Sequence, residues 1–287
     1  AVLRRAKALR KRRGNPTSNL MKHLAASLIL LGTVCHAADL APKWLVPDQV
    51  LYTDDFSKPR PVAINRQNPT EPWMINQGTR WEMVEGVLRG RASSAEFQAK
   101  HETHKGLHPR VVLQTTPEKY VLRFSMRLID GIPFEVGKRR SIAPFIEIGH
   151  HVCRVTWDVN GATLLADGDT TQLANDKDFK LIPGKWETVL VERRDDEVLV
   201  QFADGPVFHG KHASYVTDPH AVMLGGLEAG TMEIDNVTLW SVKDGTQPEW
   251  TAFAAKLPRQ QNLVLRPKTP GRLAAEKKTA EAKAAAK

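Results

Sequence analysis

The chain has 287 residues, of which 41% are hydrophobic, with two cysteines and a formal net charge of +9. That length supports one domain with a substantial core, and two cysteines exclude a scaffold built on disulfides. Residues 1–22 carry +8 and residues 256–287 carry +7, which leaves −6 for residues 23–255; a mildly acidic body offers no basic face, so no nucleic acid partner is expected.

Residues 1–20 hold seven Arg or Lys and no acid, and read either as a stretch before a start at Met21 or as a long n-region. From Met21 the pattern is that of an export signal. Lys22 and His23 precede an apolar run from Leu24 to Val34, and Cys35-His36-Ala37 places small residues at the cleavage positions. Residues 1–37 are therefore expected to be an upstream basic segment and signal peptide, cleaved near Ala37/Ala38, with a secreted or periplasmic destination. An apolar run of about 12 residues is too short for a span, which needs roughly 20. No transmembrane segment is expected in the mature protein. Cys35 leaves with the signal, and Cys153, inside the strand-like Val152–Trp157, is expected to be a buried, inert thiol.

Residues 49–243 break into short segments that alternate at period two, the pattern of half-buried strands. In Tyr120–Leu128 one phase is Tyr120, Leu122, Phe124, Met126 and Leu128, and the other is Val121, Arg123, Ser125 and Arg127. Asp130-Gly131, Asn160-Gly161, Asp167-Gly168, Pro183-Gly184 and Asp204-Gly205 mark turns, and Asn160-Gly161 is expected to form a type I′ hairpin. With no long amphipathic helix in this stretch, the expected class is all-β, a β-sandwich of two antiparallel sheets. Residues 251–287, rich in Ala, Lys and Pro, are expected to form a disordered tail whose basic charge suits an anionic envelope surface.

Several segments carry a resemblance: Asp54-Asp55-Phe56, Trp81 to Leu88 with its Gly86-Val87-Leu88, Gly149-His150-His151-Val152-Cys153-Arg154-Val155, Gly184-Lys185-Trp186, and Ile234-Asp235-Asn236-Val237. The chain resembles the secreted 3-keto-disaccharide hydrolase family, also called domain of unknown function 1080, in the concanavalin A-like lectin and glucanase superfamily. The resemblance implies a concanavalin A-like jelly roll with carbohydrate as partner. It implies either cleavage of 3-keto-glycosides by base-assisted elimination or hydrolysis, or a non-catalytic glycan-binding or envelope structural module. Glucanases of the superfamily carry Glu-x-Asp-x-x-Glu on an interior strand. Here Glu233-Ile234-Asp235-Asn236-Val237-Thr238 ends in Thr and lies in what reads as the closing strand, so Glu233 and Asp235 are expected at an edge or hairpin.

A 3-keto group acidifies the neighbouring C2 hydrogen, so a general base removes it and C1 expels its leaving group, with a cation on the enolate oxygen. His101, Glu102, His104 and His108 cluster around Lys105, and Gly106 and Pro109 make that stretch a loop rather than a helix. The working catalytic set is His104 as base with Glu102 beside it, His151 as acid or second ligand, and Arg123 on the enolate. His101, His104 and His150 are the candidate ligands for a divalent metal. Arg123, Arg127 and Arg154 occupy the polar phase of their strands; they form a sugar-facing row if that phase is the concave face, and a solvated outer face otherwise. Among Trp73, Trp81, Trp157, Trp186 and Trp240, most are expected to pack the core.

Overall fold

Period-two alternation becomes strand along nearly the whole body of the chain. The computed structural model describes residues 40–62, 71–114, 116–132, 143–216 and 221–267, with scattered positions from 270 to 281. The expected signal peptide lies outside the described residues. In chain order the strands are β1 (Pro47–Asp54), β2 (Trp73–Ile75), β3 (Arg80–Val84), β4 (Val87–Arg91), β5 (Arg110–Leu113), β6 (Tyr120–Leu128), β7 (Phe145–Ile148) and β8 (Cys153–Asp158). They continue with β9 (Gly161–Ala166), β10 (Thr171–Asp176), β11 (Glu187–Arg194), β12 (Glu197–Phe202), β13 (Val207–Lys211), β14 (Val222–Gly225), β15 (Thr231–Val242) and β16 (Leu263–Val264). Short helices α1 (Ala95–Lys100) and α2 (Trp250–Ala254) lie between strands.

The strands form two antiparallel sheets. The first runs β13-β12-β11-β6-β15-β4-β3, with β1 also paired to β15; the second runs β16-β10-β9-β8-β7-β14-β5-β2. The chain passes repeatedly from one sheet to the other, so neighbours within a sheet are often far apart in sequence. This is the all-β sandwich of two antiparallel sheets that the alternation led us to expect, wound as a jelly roll.

One phase of each strand fills the space between the sheets. Tyr120, Leu122, Phe124, Met126 and Leu128 of β6 face Ile146, Ile148, Val155, Trp157 and Leu164 of the second sheet within one apolar core. Cys153 belongs to it, and burial pushes its thiol up to about 12, which makes it inert at neutral pH. The Asp54-Asp55-Phe56 segment has a packing role. Asp54 accepts from the backbone N–H of Phe56 at 2.9 Å, and Phe56, buried in a left-handed turn, lies 6.2 Å from the Trp73 ring.

A second apolar cluster covers part of the outward face of the first sheet. Trp44 and Leu45 cover Val121, Leu190 and Leu199, and Trp250 stacks 5.7 Å from Trp44. Residues 251–267 therefore depart from the expected disordered tail. Phe253 and Leu257 pack on this cluster, and β16 pairs with β10 through Thr171–Val264 and Gln172–Leu263.

The hairpins also differ in detail from the sequence reading. The β8–β9 hairpin closes through the Asp158–Gly161 pair, so its two loop residues are Val159 and Asn160, and neither has positive φ. Asn160-Gly161 is thus not a type I′ turn; Asp158 instead accepts the Asn160 N–H at 2.6 Å. The type I′ position is Glu85-Gly86 between β3 and β4, with φ of 55° and 74°. Among the described residues no helix is long and apolar enough to cross a membrane.

Candidate functional site

The outward face of the first sheet carries a polar strip on the phase opposite the core. Cross-strand register places Thr188, Ser125 and Asp235 on one rung and Arg127, Glu233 and Arg89 on the next. Ser125 and Thr188 share a hydrogen bond of 2.9 Å. Glu233 is fully buried beneath two guanidiniums, with Arg89 Nε 2.7 Å from Oε1 and Arg127 Nε 2.5 Å from Oε2. Arg127 lies over the Trp186 ring at 4.7 Å, and Arg123 lies over the Trp240 ring at 5.5 Å. Two Trp–Arg stacks therefore flank a strip of hydroxyls and carboxylates.

β15 is an interior strand, with β6 on one side and β4 and β1 on the other. The reading of Glu233 and Asp235 as edge or hairpin residues is corrected, because the jelly-roll winding inserts this late strand between early ones. The register shift between Asp235 and Thr238 is a bulge that turns Thr238 to the same face as Glu233 and Asp235. Burial raises the Asp235 carboxyl above its ordinary range, and Asp55, Asp54 and Glu233 add to that. The third carboxylate of the glucanase pattern is still missing, since Thr238 cannot act as an acid or base. A retaining glycosidase needs two carboxyl groups roughly 5 Å apart, one as nucleophile and one as acid/base.

The structure does not assemble the set proposed for 3-keto chemistry. His101 stacks on Phe97 with ring centroids 3.9 Å apart, its Nδ1 2.7 Å from the Phe97 carbonyl. His104 is exposed, with Nδ1 3.3 Å from the Thr103 hydroxyl, and Glu102 is exposed beside it. This loop enters β5 at Arg110, which aligns through Gly225 with Phe145 at the start of β7. His150 and His151 sit beyond the other end of β7, three strand residues or about 10 Å further along. Arg123 is on the first sheet, with the core between it and His151. The candidate row of Arg123, Arg127 and Arg154 also divides, because Arg154 is on the outward face of the second sheet. The polar phases of β6 and β8 face away from each other across the sandwich.

On that second face, Phe145 lies between two guanidiniums, with Arg110 at 5.2 Å and Arg154 at 4.8 Å from the ring centroid. Gly225 makes room for the ring, since a Cβ there would come within 2.3 Å of it. Arg154 bonds to Glu147 Oε2 and, at 2.5 Å, to Asp169. Burial pushes the Glu147 carboxyl up, but Arg154 and the His151 N–H more than offset this and hold it below its usual range. Burial lowers the His151 imidazole. Among the described residues one His/Cys/Asp/Glu trio has its ligand atoms within 4.8 Å of one another: Glu147, His150 and His151. Neither His101 nor His104 belongs to it. Glu147 escaped the sequence reading, although a lone acid inside the apolar Phe145-Ile146-Glu147-Ile148 run was its signal.

No protein-family model matches the chain, and no curated protein matches its sequence. Solved structures show distant likenesses. The carbohydrate-binding module CBM66 from Bacillus subtilis is 12% identical over 59% of this chain and 96% of its own, with a TM-score of 0.41. A β-1,3-glucanase from Mycobacterium marinum is 10% identical over 67% of this chain and 99% of its own, at 0.44. A non-specific endo-β-1,3(4)-glucanase of family GH16 is 13% identical over 71% and 96%, at 0.42.

Proposed function

We propose that the protein is an exported carbohydrate-binding sandwich that holds a glycan along the outward face of the first sheet. The observation that carries this reading is the pair of Trp–Arg stacks, Trp186–Arg127 and Trp240–Arg123, flanking Ser125, Thr188, Asp235 and Glu233. Sugar rings present C–H faces that pack on indoles and hydroxyls that pair with carboxylates and guanidiniums. Glu233, clamped by Arg89 and Arg127, stiffens the floor of the strip and is poorly placed to act as a nucleophile. Base-assisted cleavage of 3-keto-glycosides finds less support, since His104 and Glu102, His151 and Arg123 occupy three separate places.

The test is affinity of the full chain for a panel of soluble and insoluble polysaccharides, with Trp186→Ala and Arg127→Ala as variants and circular dichroism as the folding control. We expect saturable binding of at least one glycan, weakened about tenfold or more by either substitution, equivalent to about 1.4 kcal/mol. Binding unchanged in Trp186→Ala would remove this face from consideration. Turnover of a 3-keto-glucoside, lost in His104→Ala, would replace the binding reading with the enzymatic one.

A further inference from the structure

We propose that Glu147, His150 and His151 form a binding site for one divalent transition metal, zinc by preference, at the turn between β7 and β8. All three donors come from five consecutive residues, and the hairpin brings them together. Ile148 pairs with Cys153, so Gly149 to Val152 must reverse the chain in four residues. Gly149 and His151 take positive φ, 73° and 58°, to do so. The reversal stands both imidazoles over the Glu147 carboxylate, with Nδ1 of His150 and His151 3.8 and 3.7 Å from Oε1. The two ring centroids are 4.0 Å apart. A tetrahedral zinc with bonds of roughly 2.0–2.2 Å has its donors about 3.4 Å apart. Closing the trio therefore takes only small rotations of two exposed side chains.

The two carboxylate oxygens have separate duties. Oε2 is held by Arg154, which Asp169 anchors from its other side. Oε1 faces the imidazoles and accepts the His151 N–H at 3.1 Å. Outer partners of this kind fix the orientation of a ligating carboxylate. Glu147 is buried while both imidazoles are more than half exposed, which leaves a path for the ion and a fourth position open to solvent or a ligand oxygen. Two nitrogens and one carboxylate favour zinc over calcium or magnesium, which prefer all-oxygen shells. The site lies on the second sheet and stands independently of the glycan face on the first.

The test is titration of the full chain, purified without a polyhistidine tag, with Co2+ and then Zn2+. Visible d–d absorption and calorimetry are the readouts. The wild type is expected to bind one equivalent of Co2+ with the absorption of a tetrahedral site, and Zn2+ is expected to displace it. The double variant His150→Ala/His151→Ala changes only exposed side chains and should bind at least about tenfold more weakly. His101→Ala/His104→Ala should bind as the wild type does. The absence of saturable one-to-one binding would overturn the proposal. So would equal binding by the His150/His151 variant, or loss of binding in the His101/His104 variant.

Discussion

His108 shows how a single side chain can be misjudged by its neighbours in sequence. It belongs to the His-rich loop, yet it is buried, edge-on to Phe145 with ring centroids 5.9 Å apart. Its Nε2 accepts from Arg110, with Nε at 3.2 Å and the terminal nitrogen at 2.9 Å. Burial first, then the Arg110 and Arg154 charges, take its pKa down to about 3. The folded state thus keeps His108 neutral where the unfolded chain, titrating near 6.5, gains a proton. Stability is unaffected above about pH 6.5 and falls as the pH drops from there towards 3, by about 1.4 kcal/mol per unit. Urea unfolding at pH 7 and pH 5 should show a wild-type loss about 2 kcal/mol larger than that of His108→Gln. Equal losses in the two proteins would mean that His108 is protonated in the fold.

At the scale of the element, the lead-in before β1 is held by one buried acid. Glu192 of β11 accepts the backbone N–H groups of Lys43 at 2.8 Å, Trp44 at 3.0 Å and Leu45 at 2.5 Å. Gln201 donates to the same carboxylate at 3.2 Å. Residues 43–45 bend ahead of β1 and have no ladder partner for these donors, and the carboxylate serves in its place. Glu192→Ala would strand three donors in an apolar setting, and we expect a loss of about 3 kcal/mol or more. Limited proteolysis should then cut between residues 40 and 46, a stretch that we expect to resist cleavage in the wild type. A variant with unchanged stability and cleavage would show that apolar packing of Trp44 alone holds the lead-in. The alternation that revealed β11 gave no hint of this role, because Glu192 reads there as an ordinary outward-phase residue. Its partners lie nearly 150 residues earlier in the chain.

For the whole molecule, the two ends of the described body meet on one face. Gln247 donates its backbone N–H to the Trp44 carbonyl at 2.8 Å and its side-chain amide to the Leu45 carbonyl at 3.0 Å, and Trp250 completes the contact. Truncation after residue 246 would uncover Trp44 and Leu45, which themselves lie on Val121, Leu190 and Leu199. We expect the truncated protein to fold, to melt several degrees lower and to bind a hydrophobic dye that the full chain excludes. An unchanged melting temperature would make the α2 segment an accessory to the fold.

Period two and composition, read directly from the residues, were enough to establish the all-β class, the core phase of strands such as β6, the buried state of Cys153 and the separation of an acidic body from basic ends. These are local properties, carried by neighbours in the chain. Only the tertiary structure decided that β15 is interior, that Arg123 and Arg154 face opposite ways, that residues 251–264 dock, and that His150 and His151 meet Glu147 rather than His104. Each depends on which strands lie side by side. Sheet order in a jelly roll joins segments up to about two hundred residues apart, through backbone hydrogen bonds that any sequence of suitable phase can make, so the pattern within a strand does not name its neighbour.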